Sequence, residues 1–204
     1  MAEPAYTRLQ VDERRRQLID AGSRAFSEHA YEDLSMREIA EAAGVSKALL
    51  YHYFPSKSDL FKAAVGEKAQ EIRAAIEPRG EGTPLQQLAA SIDGYLAWVQ
   101  ANSGVWTRLM QSTATLPDAR ELVEGFRRQT MEMVLSELTG EGAPQPALRI
   151  AIGGWLGYMD AAILDWAGSD DLPRERLRDL LLAMFGASLL AAQQADPSIQ
   201  LQLD

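Results

Sequence analysis

Apolar residues in this chain recur at every third or fourth position and almost nowhere at every second. Leu18, Ile19, Gly22, Ala25 and Phe26 share one face of a first helix starting near Asp12, and Leu85, Leu88, Ala89, Ile92, Tyr95, Leu96 and Val99 repeat the pattern. A 3.6-residue period gathers such residues into one stripe of a helix and scatters them over both faces of a strand. No run alternates as a half-buried strand does, so the chain is predicted to be all-α. Breakers near Tyr31–Leu34, Ala43–Val45, Phe54–Pro55, Pro78–Pro84, Asn102–Gly104, Leu116–Pro117, Thr139–Pro146 and Gly168–Pro173 divide it into about nine helices. The fourth is predicted to run from after Pro55 to about Glu77, and the Pro/Gly-rich stretch Pro78–Pro84 is read as a loop. Residues 1–10 carry no clear pattern.

Composition narrows the function. A chain of 204 residues can bury the core of one domain or of two small ones. It has no cysteine, which removes disulfides, thiolate metal sites and cysteine nucleophiles and fits a reducing cytosol. The N-terminus lacks the order of a signal peptide. The longest apolar stretch, Leu180 to Ala192, is read as too short for a membrane span, so a soluble, cytoplasmic protein with no membrane partner is expected. The net charge of −9 is unevenly spread: residues 1–66 hold nine basic and ten acidic groups, the remainder eleven and nineteen. A DNA-reading face needs only a local cluster of phosphate-contacting groups, and an acidic remainder discourages indiscriminate coating of DNA.

The segment Ser35–Phe54 is the most informative. Ser35 and Glu38 have the spacing of a capping box, with Leu34 and Ile39 at the staple positions, so a helix should begin at Met36 with Met36, Ile39, Ala40 and Ala43 inward. Gly44 suits a left-handed C-terminal position, Val45 can plug the angle between two helices, and Ser46 can cap the next. The second helix turns Leu50 and one or both of Tyr53 and Phe54 inward. Ser46, Lys47, Ala48, Leu49, Tyr51 and His52 are left on a more exposed side able to enter a major groove. An ordinary helical hairpin would share the caps but has no reason to gather these aromatic and hydroxyl groups outside.

From about Arg14 to Val65 the sequence resembles the DNA-binding domain of the tetracycline-repressor (TetR) family. The matching residues are Ile39-Ala40-Glu41-Ala42-Ala43-Gly44-Val45-Ser46-Lys47, then Leu50-Tyr51-His52-Tyr53-Phe54-Pro55-Ser56-Lys57 and Leu60-Phe61. The resemblance implies a helix-turn-helix domain over residues 11–56 and a ligand-binding and dimerisation domain over 57–204. It implies that Tyr51, Tyr53 and Lys57 contact phosphate oxygens, with Ser35 and Arg37 gripping the backbone on the other side. Lys47 and His52 would reach base edges or phosphates, and Ala48 and Leu49 would offer apolar contact only. Many relatives have glycine at position 48 and a small hydroxyl residue at 49.

Such a protein is expected to be a homodimer on a palindromic double-stranded DNA operator, most often a repressor released by a small lipophilic or aromatic effector. Gly153, Gly157 and Ala161 form a stripe that lets another helix approach, and Leu177, Leu181, Met184, Phe185 and Ser188 give the next helix an apolar face. Both are candidate dimer contacts, or alternatively packing within one subunit. Trp98, Trp106, Met110, Phe126, Trp155 and Met159 are candidate ligand contacts, with plain core as the other reading of the same residues. Arg108, Arg120, Asp160 and Asp165 could add polar specificity.

Two histidines, His29 and His52, stand in different helices, and no zinc, phosphate-loop or nucleophile-elbow motif accompanies them. Asp170-Asp171 precede Pro173 and read as helix N-terminal charge. No enzyme activity, metal or cofactor is therefore expected. The alternatives are a ligand-independent regulator or activator of the same fold, or a helical adaptor that binds protein.

Overall fold

The computed structural model describes residues 4–77, 82–140, 142–169 and 171–201, and within them the only regular elements are helices. They are α1 (Pro4–Glu28), α2 (Met36–Ala42), α3 (Lys47–Tyr53), α4 (Lys57–Ile76), α5 (Pro84–Ala101), α6 (Ser103–Ser112), α7 (Pro117–Thr139), α8 (Pro146–Ser169) and α9 (Arg174–Ala195). The all-α, nine-helix expectation holds among these residues. One boundary differs: α1 begins at Pro4, well before Asp12. A helix propagated from a packed segment needs no apolar stripe of its own, so periodicity could not reveal this extension, and proline suits its first position. Residues 1–3 and 78–81 and Asp170 lie outside the described residues.

The chain divides into two compact units, Met1–Gln70 with Gly104–Leu122, and Glu71–Ser103 with Val123–Asp204. In the first, Leu18 and Ile19 of α1, Met36, Ile39 and Ala40 of α2, Leu50 of α3, and Leu60 and Ala64 of α4 form one buried cluster. Gly22 lets α4 come close: a Cβ there would stand 3.0 Å from Leu60 Cγ. A second cluster joins Phe61 of α4 to Leu116 and Ala119 at the α6–α7 corner, with Phe26, Tyr31 and Phe61 ringed edge-to-face and stacked.

Polar ties reinforce that corner. Arg108 Nη2 donates to the Glu28 carbonyl at the end of α1 (3.0 Å). Asp118, in the first turn of α7, accepts from the Ser58 hydroxyl and pairs with Lys62 Nζ at 2.9 Å. Those two hydrogen bonds, Ser58 first, hold its carboxyl below the usual range.

In the second unit α8 packs on α9, and α5 packs on both. The last turns of α4 belong here, and α5 meets them at backbone distance. A Cβ on Gly94 would lie 2.1 Å from the Ala75 carbonyl oxygen, Ser91 Oγ donates to the Ile76 carbonyl (2.7 Å), and Trp98 Nε1 donates to Glu71 (3.0 Å). Helix α4 is thus anchored separately at its two ends, once in each unit.

Helix α8 is strongly apolar for its length despite Arg149, Asp160 and Asp165. Its 24 residues include a window of mean hydropathy 1.3, long and apolar enough to cross a membrane by length and composition. The reason is that both of its faces are apolar. Leu148, Ile152, Trp155, Leu156, Ile163 and Trp166 face the core, while Ile150, Gly154, Gly157 and Ala161 lie exposed along the other side.

The phase of α8 and α9 also revises the expected dimer contacts. Leu177, Leu181 and Phe185 are buried within the subunit, and Gly153 turns toward Met131. Gly157, Ala161 and Met184 are exposed, alongside Leu180, Ala183, Ala187 and Leu190. Ser188 is half-buried and donates its hydroxyl back to the Met184 carbonyl. A stripe of period 3.6 fixes which residues travel together, and only packing fixes which of two apolar stripes goes inside.

Candidate nucleic-acid interface

Local hydrogen bonds build the α2–turn–α3 segment. Glu38 N donates to Ser35 Oγ (3.3 Å), while the Ser35 amide and hydroxyl donate to Glu38 Oε2 at 2.8 and 2.7 Å, completing the capping box. These bonds hold the Glu38 carboxyl below its ordinary range. At the other end Gly44 adopts φ 66°, Gly44 N donates to the Glu41 carbonyl and Val45 N to the Ala40 carbonyl. That paired closure is the Schellman arrangement, which a residue with a Cβ fills at a cost. Ser46 Oγ then accepts from Leu49 N (3.1 Å), starting α3 at an angle set by Val45 against the core.

Helix α3 is held by Leu50 and by Phe54 at its C-cap, both buried. Ser46, Lys47, Ala48, Tyr51 and His52 face outward, Leu49 and Tyr53 are half-buried, and Tyr53 packs on the core with its ring edge-on to His52. Lys47 Nζ lies 5.5 Å from the Tyr51 ring centroid, so a cation and a phenol share the exposed surface.

Three other residues are already engaged. The Ser35 hydroxyl proton serves Glu38. Arg37 Nε is 2.8 Å from Glu41 Oε1 in an exposed i,i+4 pair, which leaves its other N–H groups outward. Lys57 differs most from expectation: Nζ donates to the carbonyls of Tyr31 (2.6 Å) and Leu34 (2.7 Å) and sits 4.2 Å from the Tyr31 ring centroid. It stitches the α1–α2 loop to α4, where Ser56 caps through Asp59 N (3.1 Å).

Lys57→Ala is therefore expected to lower unfolding free energy by about 2 kcal/mol, since charge-assisted bonds to two carbonyls are lost. Urea denaturation reads this, and wild-type stability in the variant would return Lys57 to the free phosphate contacts. Arg15 was missed from sequence. Its guanidinium lies 5.2 Å from the Phe54 ring centroid, at the carboxyl end of α3.

The candidate effector residues are distributed over both units. Trp106 and Met110 lie on α6 in the first, Trp106 buried. Trp98, Phe126, Trp155 and Met159 lie in the second. Trp155 is core: its Nε1 donates to the Leu181 carbonyl (3.0 Å) and its ring meets Phe185 edge-on at 4.9 Å. Phe126 and Met159 are half-buried and precede in sequence Arg127 and Asp160, which form an ion pair; burial lifts the Asp160 carboxyl above the usual range even with the guanidinium on it. Arg108 and Arg120 instead serve backbone carbonyls, and Asp165 is exposed. Among the described residues no group of His, Cys, Asp or Glu is arranged to hold a metal ion.

Comparison with known proteins places this architecture. Residues 18–64 match the family model for bacterial regulatory proteins of the tetR family, and residues 84–188 match that for the tetracyclin repressor-like C-terminal domain. The HTH-type transcriptional regulator BetI of Escherichia coli (strain K12 / DH10B) is 30% identical over 159 residues, covering 74% of this chain and 78% of BetI. The HTH-type transcriptional regulator HbdR of Aromatoleum sp. (strain CIB) is 33% identical over 129 residues, covering 61% of this chain and 56% of HbdR. A tetR-family transcriptional regulator from Streptomyces coelicolor superposes with a TM-score of 0.80 at 26% identity, covering 92% of this chain and 85% of that one. Caps, turn, exposed recognition helix and both family domains converge, and the chain belongs to the tetR family as a DNA-binding transcription regulator.

Proposed function

We propose that the protein works in the bacterial cytoplasm as a homodimer, placing its two α3 helices in successive major grooves of a palindromic operator, and that a small-molecule effector releases it. The observation that carries this reading is the exposed Lys47, Ala48, Tyr51 and His52 face on a helix anchored beneath by Leu50 and Phe54. Tyr51 and Lys47 would donate to phosphate oxygens, with Arg37 and Tyr53 at the margin. His52 would reach a base edge or phosphate, and Ala48 and Leu49 would leave apolar contact, as with a thymine methyl.

The α8–α9 surface supports the dimer. Helix α8 is apolar on both faces, and its outer stripe carries Gly154, Gly157 and Ala161, small enough for a second helix to approach. The effector would bind in the second unit, near Phe126, Met159 and the Arg127–Asp160 pair. It would act on α4, whose last turns are set against Gly94 and Ser91 while its first turns hold Asp118. A shift of α4 would take the recognition helices out of register with half-sites about 34–36 Å apart, and effector and operator would oppose each other reciprocally.

The test is selection of bound genomic fragments by the purified protein, followed by fluorescence anisotropy on a recovered duplex. Tyr51→Ala is expected to weaken binding about tenfold and to leave melting unchanged, because that side chain is exposed. Wild-type protein with no preference for any fragment over competitor DNA would remove the regulator reading.

A further inference from the structure

The cations that sequence assigned to DNA are mostly occupied: Lys57 binds two carbonyls and Arg37 faces Glu41. Duplex binding draws much of its affinity from neutralised phosphates; Lys57 keeps its charge and one N–H but is held by the loop, so further cations near α3 matter to that work. Three consecutive arginines, Arg14, Arg15 and Arg16, stand exposed on α1, about 100° apart around the helix, so they cannot all face one partner. Position 15 continues the stripe of Leu18, Ile19 and Gly22, one turn before those residues become buried. There a core would take an apolar side chain. The chain instead has a guanidinium resting on the ring of Phe54, itself 2% exposed.

A planar guanidinium that stacks on a ring keeps its N–H donors along the outer edge. Arg15 makes no hydrogen bond or ion pair among the described residues, whereas Arg14 donates to Gln17 (3.0 Å).

We propose that Arg15, oriented by the Phe54 ring at the carboxyl end of the recognition helix, is a DNA-backbone contact, so that a cation flanks each end of α3, Lys47 at one and Arg15 at the other. The inference rests on the regulator reading above and extends it to α1. The Phe54 ring beneath the guanidinium favours that place for the charge, so the contact would position α3 on the duplex without reading bases, and its loss should weaken binding alike for every sequence.

The experiment uses the full chain and a duplex recovered from the genomic selection, with anisotropy titrations across a range of salt concentrations. A dimer loses two phosphate contacts in Arg15→Ala, so the slope of log K against log salt should flatten by about 1.8. Arg15→Gln should behave the same while keeping a flat group over Phe54, which separates lost charge from lost packing. Arg15→Lys should keep the slope. Arg14→Ala and Arg16→Ala should change it by less than about 0.5. A wild-type slope in Arg15→Ala and Arg15→Gln, or equal flattening by all three arginine-to-alanine variants, overturns the placed contact and leaves the regulator reading standing. Absence of wild-type binding to any recovered fragment overturns both.

Discussion

Gly94→Ala is expected to lower the melting temperature by about 6–12 °C, the equivalent of about 3 kcal/mol in a chain of this size. The cause is one distance. A Cβ built at Gly94 falls 2.1 Å from the Ala75 carbonyl oxygen and 3.0 Å from its carbon, and both atoms belong to the backbone of α4. No rotamer change relieves that contact, so α5 must move off α4, drawing Ser91 from the Ile76 carbonyl and Trp98 from Glu71. Gly66→Ala serves as the control with opposite sign. Gly66 lies inside α4 as Gly94 lies inside α5, but a Cβ there meets nothing within 4 Å, and alanine should stabilise the helix by about 0.5–1 kcal/mol. Differential scanning calorimetry of the pair reads both signs. Equal melting temperatures for Gly94→Ala and wild type would mean that α5 does not approach α4 at backbone distance.

What the sequence disclosed and what it hid divide along one physical line. The helix-turn-helix was legible because its determinants are local. The Ser35–Glu38 box, the left-handed Gly44 and the Ser46 cap each bond within five residues, and spacing alone predicts them. The carbonyl bonds of Lys57 were hidden because its partners, Tyr31 and Leu34, lie more than twenty positions away, so spacing along the chain carries no sign of them. Arg15 was missed because a run of three arginines looks like a solvated face until Phe54 is seen beneath the middle one. Gly94 carried no signal, since a glycine within helical periodicity looks the same whether it is spare or touching a neighbouring backbone. In α8 and α9 the stripes were legible but not their phase. With apolar residues all round α8, assigning Leu177, Leu181 and Phe185 to the partner surface was as consistent with periodicity as assigning Leu180 and Met184.

That phase sets the other large effect. Gly157→Arg, alone or with Met184→Glu, is expected to leave the subunit folded, to halve the mass seen by analytical ultracentrifugation, and to weaken operator binding by about 10²–10⁴-fold. The fold should survive because a Cβ at Gly157 meets nothing within 4 Å and Met184 is 37% exposed. The mass should change because the small stripe of Gly154, Gly157 and Ala161 is where a second α8 could approach closely, and an arginine there places a charge and a long side chain between the helices. Affinity should fall because two linked half-site contacts convert the second binding event into an intramolecular one, and a monomer forfeits that gain. Wild-type melting should rise with protein concentration and the variant's should not, since only the former couples folding to association. A Gly157→Arg protein that sediments as a dimer and keeps full operator affinity would move the interface off α8. The exposed Ile150, Leu180 and Leu190 would then need another partner.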